Sequence, residues 1–466
     1  MSVLVPQEQD FPTWYQEVIA KSQLAENGPV RGTMVIRPWG YAIWERLQAA
    51  IDERIKATGA QNAYFPLLIP EAFMRREAEH VEGFSPELAV VTHGGGKQLE
   101  EPVVIRPTSE TVVNSSFARW ISSYRDLPLL INQWANVVRW ELRTRLFIRS
   151  SEFLWQEGHT AHAAREDAHA YALRILDEVY ADAMVHELAI PAYRGRKTER
   201  EKFAGAELSW SCEGVMRDGK ALQMGTSHEL GQNFARAFGI EFSDRGGQLR
   251  HVWQTSWGVS TRLLGAMIMV HGDDQGLRVP PRLAPIQVVV VVARAGEGVT
   301  EAATAVVDEL ERAGVRVELD DRVEVSLGRR LIDHELRGVP IRVELGPRDV
   351  AADKAVVARR ARPEKETIPL RAVVEIPRML VDDQGELLVQ ATSLRDARTR
   401  PAASIDEARE IAGDGVARLP WRDVGTDGED RLAKAGVSVR CLVREDGGPV
   451  DDPDADGVDA LVARAY

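Results

Sequence analysis

The stretch Asn132-QWANVVRWELRTRLFIRSSEFLWQEGHTAH-Ala163 decides the fold. It reads as a strand, a basic loop and a returning strand. Side chains alternate between the two faces of a strand, so Arg139 and Glu141 point one way and Trp140 the other. Arg143, Arg145 and Arg149 fall in the loop. On the return, Phe153, Trp155, Glu157 and His159 again share one face. An arginine, two carboxylates, two aromatics and an imidazole on one face are costly to place in a core. They suit the floor of a site that holds a phosphate, a flat base and a small ammonium. A solvated sheet face laced with salt bridges is the other reading of the same residues.

Around this hairpin the pattern continues. Further strands are expected at Val103–Ile105, Leu129–Val138, Phe153–Gln156 and Leu222–Met224, and an extended apolar run at Asn62-AYFPLLIP-Glu71. Helices are expected at Trp14–Ala25, Ser109–Ile121, Arg165–Leu188 and Arg262–His271. Another covers Trp39–Thr58, where Ile43, Leu47, Ile51 and Ile55 recur every four residues. Strands that alternate polar with apolar predict an antiparallel sheet with helices packed on it. Arg278-VPPRLAP-Ile286 is a proline-rich break. Beyond it, Gln287-VVVVV, Val299–Ala313, Val315–Leu319, Leu327–Leu336, Ile341–Leu345 and Ala355–Ala358 alternate strand with helix. That alternation predicts a small α/β unit with a mostly parallel sheet. From Val374 the expectation is a helix within Pro377–Leu394, another over Ser404–Ala412, and a loop-rich end. The segment Glu445-DGGPVDDPDADG carries six acidic residues and should be exposed and mobile.

Composition narrows the class. At 466 residues the chain exceeds one domain of about 100–200 residues. A hydrophobic fraction of 44% and a charged fraction of 28% exclude general disorder. No apolar run reaches a membrane span, and the opening MSVLVPQEQDFPTWY has no signal-peptide pattern, so a cytoplasmic chain is expected. Two cysteines, Cys212 and Cys441, exclude a disulfide framework and a zinc site built from several thiolates. A net charge of −13 argues against an indiscriminate grip on nucleic acid but leaves room for a local surface.

Three more segments carry chemistry. In Arg106-PTSE-Thr111, Thr108 and Glu110 stand before a helix, poised for a ligand or serving as a helix cap. Gln223-MGTSHELGQNF sets small residues around Thr226 and His228, for close approach to a ligand or as a loop around a core histidine. Trp253-QTSWGVSTR places Gly258 four residues before Arg262, at the mouth of an apolar helix. A cation there gains nothing from the helix dipole, so Arg262 should meet an anion or an aromatic face, unless it is a surface arginine.

Taken together, RPTSET, NQWANVVRWE, FLWQEGHTAH, GTSHELGQNF and TSWGVSTR resemble prolyl-tRNA synthetase of the archaeal/eukaryote-like type. NAYFPLLIP is similar to motif 1 of class II aminoacyl-tRNA synthetases, VVRWE with FIRSSEF to motif 2, and WGVSTR to motif 3. VELDDR and GVPIRVELGPRD resemble the associated anticodon-binding domain. The resemblance implies an α+β catalytic domain over 1–283, an antiparallel sheet flanked by helices. It implies an α/β anticodon-binding domain over 284–374 and a small α/β C-terminal domain over 375–466. It further implies ATP with Mg²⁺, proline and tRNA(Pro) as partners, and a homodimer. By the same resemblance Arg139 bridges proline's carboxylate and the α-phosphate, and Arg262 stacks on adenine while touching the γ-phosphate. Glu141, Arg149, Phe153, Gln223, Thr226 and Ser260 line the ATP site. Thr108 and Glu110 accept proline's two N–H donors, and Trp155, Glu157, His159 and His228 wall its ring.

Several features set this chain apart. The family's C-terminal domain often binds zinc through four cysteines, and here only Cys441 remains, so no zinc is expected. Arg329, in Leu327-GRR-Leu331, replaces the usual anticodon-domain aromatic. Too few residues separate Arg149 from Trp253 for an editing insertion. The chain ends Ala463-RAY, and the resemblance implies that Tyr466 docks near the catalytic domain. A non-catalytic paralogue, an enzyme charging a carrier protein, and a threonyl enzyme are the rival readings. Retention of Arg139, Glu141 and Arg262, the anticodon-type unit, and the lack of zinc co-ligands for Cys212 respectively argue against them.

Overall fold

The computed structural model describes residues 3–74 and 88–466. Helix α1 (Phe11–Lys21) starts earlier than Trp14 because the Asp10 carboxylate caps it, accepting from Thr13 N at 3.0 Å. Helix α2 (Pro38–Ala57) buries Ile43, Leu47, Ile51 and Ile55 as one stripe. The expected run at 62–71 is extended only at its ends, in β1 (Gln61–Asn62) and β2 (Leu68–Pro70). Pro66 lies between them and has no N–H for a ladder. Strands β3 (Ala89–Gly94) and β4 (Lys97–Ile105) form a hairpin through Gly95 and Gly96, both at positive φ (58° and 78°). Its outer residues are polar and exposed, which is why only Val103–Ile105 reads as strand.

The central elements are α3 (Glu110–Trp120), β5 (Leu129–Val138) and β6 (Glu152–His162), followed by α4 (Arg165–Arg174). Helix α4 runs on through a π-helical turn, Ile175–Ala181, into Asp182–His186. Strands β7 (Tyr193–Arg196), β8 (Leu208–Val215), β9 (Ala221–Gly231) and β10 (Trp253–Ser260) complete the floor, and α5 (Arg262–His271) follows β10. Strand β6 sits between β5 and β10, antiparallel to both, with Trp155 opposite Ala135 and Ser260. That placement turns the face of Phe153, Trp155, Glu157 and His159 into a wall of one cavity. No helix among the described residues is long and apolar enough to cross a membrane.

Beyond the proline-rich break lie β11 (Val288–Val292), α6 (Val299–Arg312), β12 (Val317–Asp320), α7 (Leu327–Arg337), β13 (Ile341–Leu345), β14 (Lys354–Arg359) and β15 (Lys365–Pro369). Their order is β12-β11-β13-β14-β15. The first two pairings are parallel and the last two antiparallel. The sheet is therefore mixed rather than mostly parallel. The connections into β14 and β15 are too short for the crossover that parallel pairing needs.

The C-terminal part departs most from its loop-rich expectation. Helix α8 (Ile376–Arg398) leads to β16 (Thr399–Pro401), α9 (Ile405–Ile411), β17 (Val416–Pro420), α10 (Trp421–Lys434), β18 (Ser438–Arg444) and β19 (Val458–Ala463). These short strands alternate charged with apolar residues too briefly for periodicity to show. The acidic segment 445–457 joins β18 to β19, mostly exposed, with Val450 buried as its anchor. This part extends the central sheet, because β18 pairs with β7 at Leu442 and Arg196. One continuous order results, β16-β17-β19-β18-β7-β8-β9-β10-β6-β5-β1. Gly195 permits the junction: a Cβ there would stand 2.7 Å from the Cys441 side chain. Cys441 is thus packed against the catalytic sheet.

Candidate active site

A cavity of about 270 Å³ opens over β6, β9 and β10. Thr108, Glu110, Arg139, Glu141, Arg149, Phe153, Trp155, Glu157, His159, Gln223, Thr226, His228, Ser260 and Arg262 all line it. Every site residue expected from the sequence is therefore brought to one place. Arg139 and Glu141 lie just past the end of β5, where Arg139 N still donates to Ser151 O at 2.8 Å. Trp140 points out to solvent. Gly158, between Glu157 and His159, leaves room for the Trp257 ring opposite it, with which a Cβ there would collide.

At one end the groups are cationic and aromatic. Arg139 donates through Nε to Pro107 O at 3.1 Å, and its guanidinium carbon lies 5.3 Å from the Trp155 ring centre and 5.8 Å from that of Phe153. Its terminal nitrogens have no protein acceptor among the described residues. Arg262 donates to Ile148 O at 3.1 Å and Gln223 O at 3.3 Å. Burial and the neighbouring Arg139 push its pKa down to about 10, so it stays a cation at neutral pH. Glu141 accepts from Arg149 Nε at 2.6 Å, which leaves one carboxylate oxygen open. Ser260 Oγ accepts from the Arg262 backbone N–H at 3.2 Å and so fixes the start of α5.

The other end is acidic and fully packed. Glu157 accepts from Gln133 Nε2 at 2.9 Å, from Ser109 N at 3.2 Å and from the Ser109 hydroxyl, and pairs with His159 Nε2 at 3.2 Å. Burial pushes the Glu157 carboxyl up, but His159, Ser109 and Gln133 outweigh it and hold it below its ordinary value. For His159, burial favours the neutral ring, yet Glu157 and Glu110 raise its pKa above the usual 6.5. Glu110 is held by the Thr108 hydroxyl alone among the described residues. Ser109, not Thr108, is the helix cap residue, and it makes no side-chain cap bond. The helix-cap reading of Thr108 therefore fails. His228 meets Ser209 Oγ at 2.8 Å and stacks on Phe203 with centroids 4.8 Å apart. Burial and the charge of Lys197 depress its pKa to about 3, so it is a neutral wall.

Lys197, Glu201, Phe203, Ser209 and Ser256 also line the cavity and were not legible in the sequence. Phe203 lies in the charged run Thr198-ERE-Lys202 and its continuation, where no periodicity marks a functional face. Arg329 is exposed on α7 and pairs with Asp333 at 3.1 Å.

A site with separate cationic-aromatic and acidic ends, on an antiparallel sheet followed by a mixed α/β unit, defines a class II aminoacyl-tRNA synthetase. The tRNA synthetase class II core domain (G, H, P, S and T) matches residues 93–271, and the anticodon binding domain matches residues 287–378. The proline–tRNA ligase of Frankia casuarinae is 60% identical over 468 residues, covering 100% of both chains. The crystal structure of prolyl-tRNA synthetase from Cryptosporidium parvum with halofuginone and AMPPNP superposes with a TM-score of 0.93 at 38% identity, covering 100% of this chain and 99% of that one. The same enzyme with L-proline and AMP gives 0.92 at 36% identity, covering 100% and 97%. The chain belongs to the prolyl-tRNA synthetase family.

Proposed function

We propose that the chain joins L-proline to tRNA(Pro) through a prolyl-adenylate, consuming ATP and releasing pyrophosphate and AMP, with the cavity residues dividing the work. The observation that carries this reading is Arg139, whose unshared terminal nitrogens stand between an aromatic end and the Glu110 carboxylate. Activation brings two anions together, so catalysis is chiefly charge neutralisation and positioning. Arg139 meets proline's carboxylate and the α-phosphate. Phe153 and the Arg262 guanidinium sandwich adenine, with Arg262 also reaching the γ-phosphate. The open oxygen of Glu141 takes the adenine amino group, Arg149 serves the phosphates, and Gln223, Thr226 and Ser260 line the ribose and phosphate path. Glu110 and Thr108 receive the secondary ammonium, against Trp155, Glu157, His159 and His228. Pyrophosphate exchange with each of the twenty amino acids, then charging of the matching tRNA, tests the reading. Exchange with proline alone is the expected result.

An Mg²⁺ ion brought in with the nucleotide would neutralise phosphate charge. Among the described residues no three His, Cys, Asp or Glu side chains cluster as a protein cage. Such an ion would be held mainly by the phosphates and water. The C-terminal part is read as zinc-free, held by a core of Leu419, Val439, Leu442 and Val462. A cleft of about 460 Å³ is lined by Arg278, Arg342, Arg360, Arg362 and Lys365 together with Asp273, Glu335 and Glu364, and Arg342, Arg360 and Lys365 are ion-paired, so it is a mixed-charge surface. The archaeal/eukaryote-like type, the domain limits 1–283, 284–374 and 375–466, a homodimer and a cytoplasmic location complete the proposal.

The tail has a role in it. Tyr466 Oη donates to Asp218 at 2.6 Å, its N–H donates to Ala221 O at 3.2 Å, and Arg145 and Lys220 lie 5.3 and 4.7 Å from its ring centre. Ala221 begins β9, two residues before Gln223, and Arg145 belongs to the loop that carries Arg149. Deleting Tyr466 is expected to slow proline activation while leaving stability within about 1 kcal/mol of the parent. Steady-state exchange beside thermal melting checks both halves.

The acidic end gives a pH dependence. His159 has a raised pKa, so its protonated form is favoured by the fold. Its contribution to stability is complete below the ordinary 6.5 and fades as pH climbs through the raised value. Over that same climb the imidazolium charge next to proline's ammonium disappears. The KM for proline should therefore fall with rising pH, and in His159→Gln this fall should vanish. Exchange kinetics of both proteins between pH 6 and pH 9, at saturating ATP, measure it.

A further inference from the structure

The segment from Lys197 to Ser209 leaves β7 and returns to β8, and its ends are tied together by Lys197 N donating to Ser209 O at 2.7 Å. Phe203 N donates to Ser209 Oγ at 3.0 Å, the hydroxyl that also meets His228. The inner side of this loop is therefore one wall of the amino-acid pocket. Its outer side is held by a different part of the chain. Thr198 Oγ1 donates to Glu429 Oε1 at 2.6 Å, with both residues buried, at 4% and 3% exposure. Arg200 pairs with Asp430 on the same helix, α10. Lys197 Nζ donates to Arg440 O at 2.6 Å and to Glu213 Oε1 at 2.8 Å. Arg440, on β18, closes on Glu213 Oε2 through Nε at 3.1 Å and its terminal nitrogen at 3.0 Å.

Neither Glu429 nor Arg440 reaches the cavity. A buried charge cluster is weak evidence for stability, because desolvation opposes the attraction. What such a cluster does is fix geometry. Burial pushes the Glu213 carboxyl up, but the two cations hold it below its ordinary value, so it stays ionised and keeps both partners in place. Arg139, Glu141, Phe153 and Arg262, at the nucleotide end, make no hydrogen bond to the loop.

We propose that Glu429 and Arg440 are positioning residues for the amino-acid site, by which the C-terminal part clamps the Lys197–Ser209 loop and sets how closely Phe203 closes on His228. This rests on the proline reading of that pocket. It assigns residues 376–463, which carry no group into the cavity, a part in grip on the amino acid and in rejection of alanine.

Three variants test it: Thr198→Val, which keeps shape and loses the donor; Glu429→Leu, which loses the acceptor; and Glu429→Gln, which keeps an acceptor. In pyrophosphate exchange, Thr198→Val and Glu429→Leu should raise the KM for proline by about tenfold and leave that for ATP within about twofold, the scale of one lost buried bond. Glu429→Gln should stay near the parent, and the proline-over-alanine ratio of kcat/KM should drop in the first two only. Thermal melting confirms folding, and the near-isosteric Thr198→Val keeps the test open if Glu429→Leu fails to fold. An unchanged KM for proline in folded Thr198→Val overturns the proposal, as does an equal rise for proline and ATP. If the parent activates a different amino acid, the proline reading has failed, and the same comparison made with that amino acid decides the clamp separately.

Discussion

Replacing Arg139 with alanine is expected to slow proline-dependent pyrophosphate exchange by about 10²–10³-fold, the usual cost of deleting one preorganised charge stabiliser. The proline carboxylate and the α-phosphate repel as they approach, and something cationic must stand between them. In the proposed function Arg139 is that group. Its Nε is spent on Pro107 O, and the Trp155 and Phe153 rings flank the guanidinium, so its plane is set before substrate arrives. Burial lowers its pKa, yet Glu110, Glu157 and Glu141 pull the other way and a guanidinium remains charged at neutral pH. Lysine should rescue poorly, because a fork meets two anions at once and an ammonium is a point charge. A single-turnover assay separates this from substrate binding. An alanine variant with near-parent exchange would remove Arg139 from the chemistry.

Why the site was so legible lies in the period of two. Phe153, Trp155, Glu157 and His159 alternate on an eleven-residue strand, and register against β5 and β10 converts that alternation directly into a cavity wall. The long helices were legible for the same kind of reason, as at α2 and α5. Short elements were not. Strands β18 and β19 hold their charged residues against neighbours that are remote in sequence, such as Arg440 against Glu213, and no local pattern announces such a partner. Phe203 reaches the pocket from a loop whose shape is set by Ser209 and by Glu429, again from afar. The parallel-sheet expectation failed on connection length. Strand alternates with helix as far as Ile341, and only the short connections beyond it make the last two pairings antiparallel.

Glu110→Gln should raise the KM for proline by about 10²-fold, the order of cost for removing one partner of a buried charged contact, with the KM for ATP little changed. Two carboxylates face the acidic end, but they are not equivalent. Glu157 is saturated by Ser109, Gln133 and His159, so it organises the wall and has no lone pair to spare for a ligand. Glu110 is buried at 5% exposure and, among the described residues, carries one partner, the Thr108 hydroxyl, which in the proposed function leaves an oxygen for the incoming ammonium. Proline's secondary ammonium brings only two N–H donors, which one carboxylate and one hydroxyl can satisfy. Glutamine keeps the size and still accepts from Thr108, but its amide presents N–H groups to a cation that carries only donors and no acceptor. Glu110 also stands in the first turn of α3, where losing a negative charge costs the helix about 0.3–1 kcal/mol. That loss would appear in the melting temperature and would not discriminate between substrates. A variant whose ATP affinity falls while its proline affinity holds would show that Glu110 serves the helix and does not receive the ammonium.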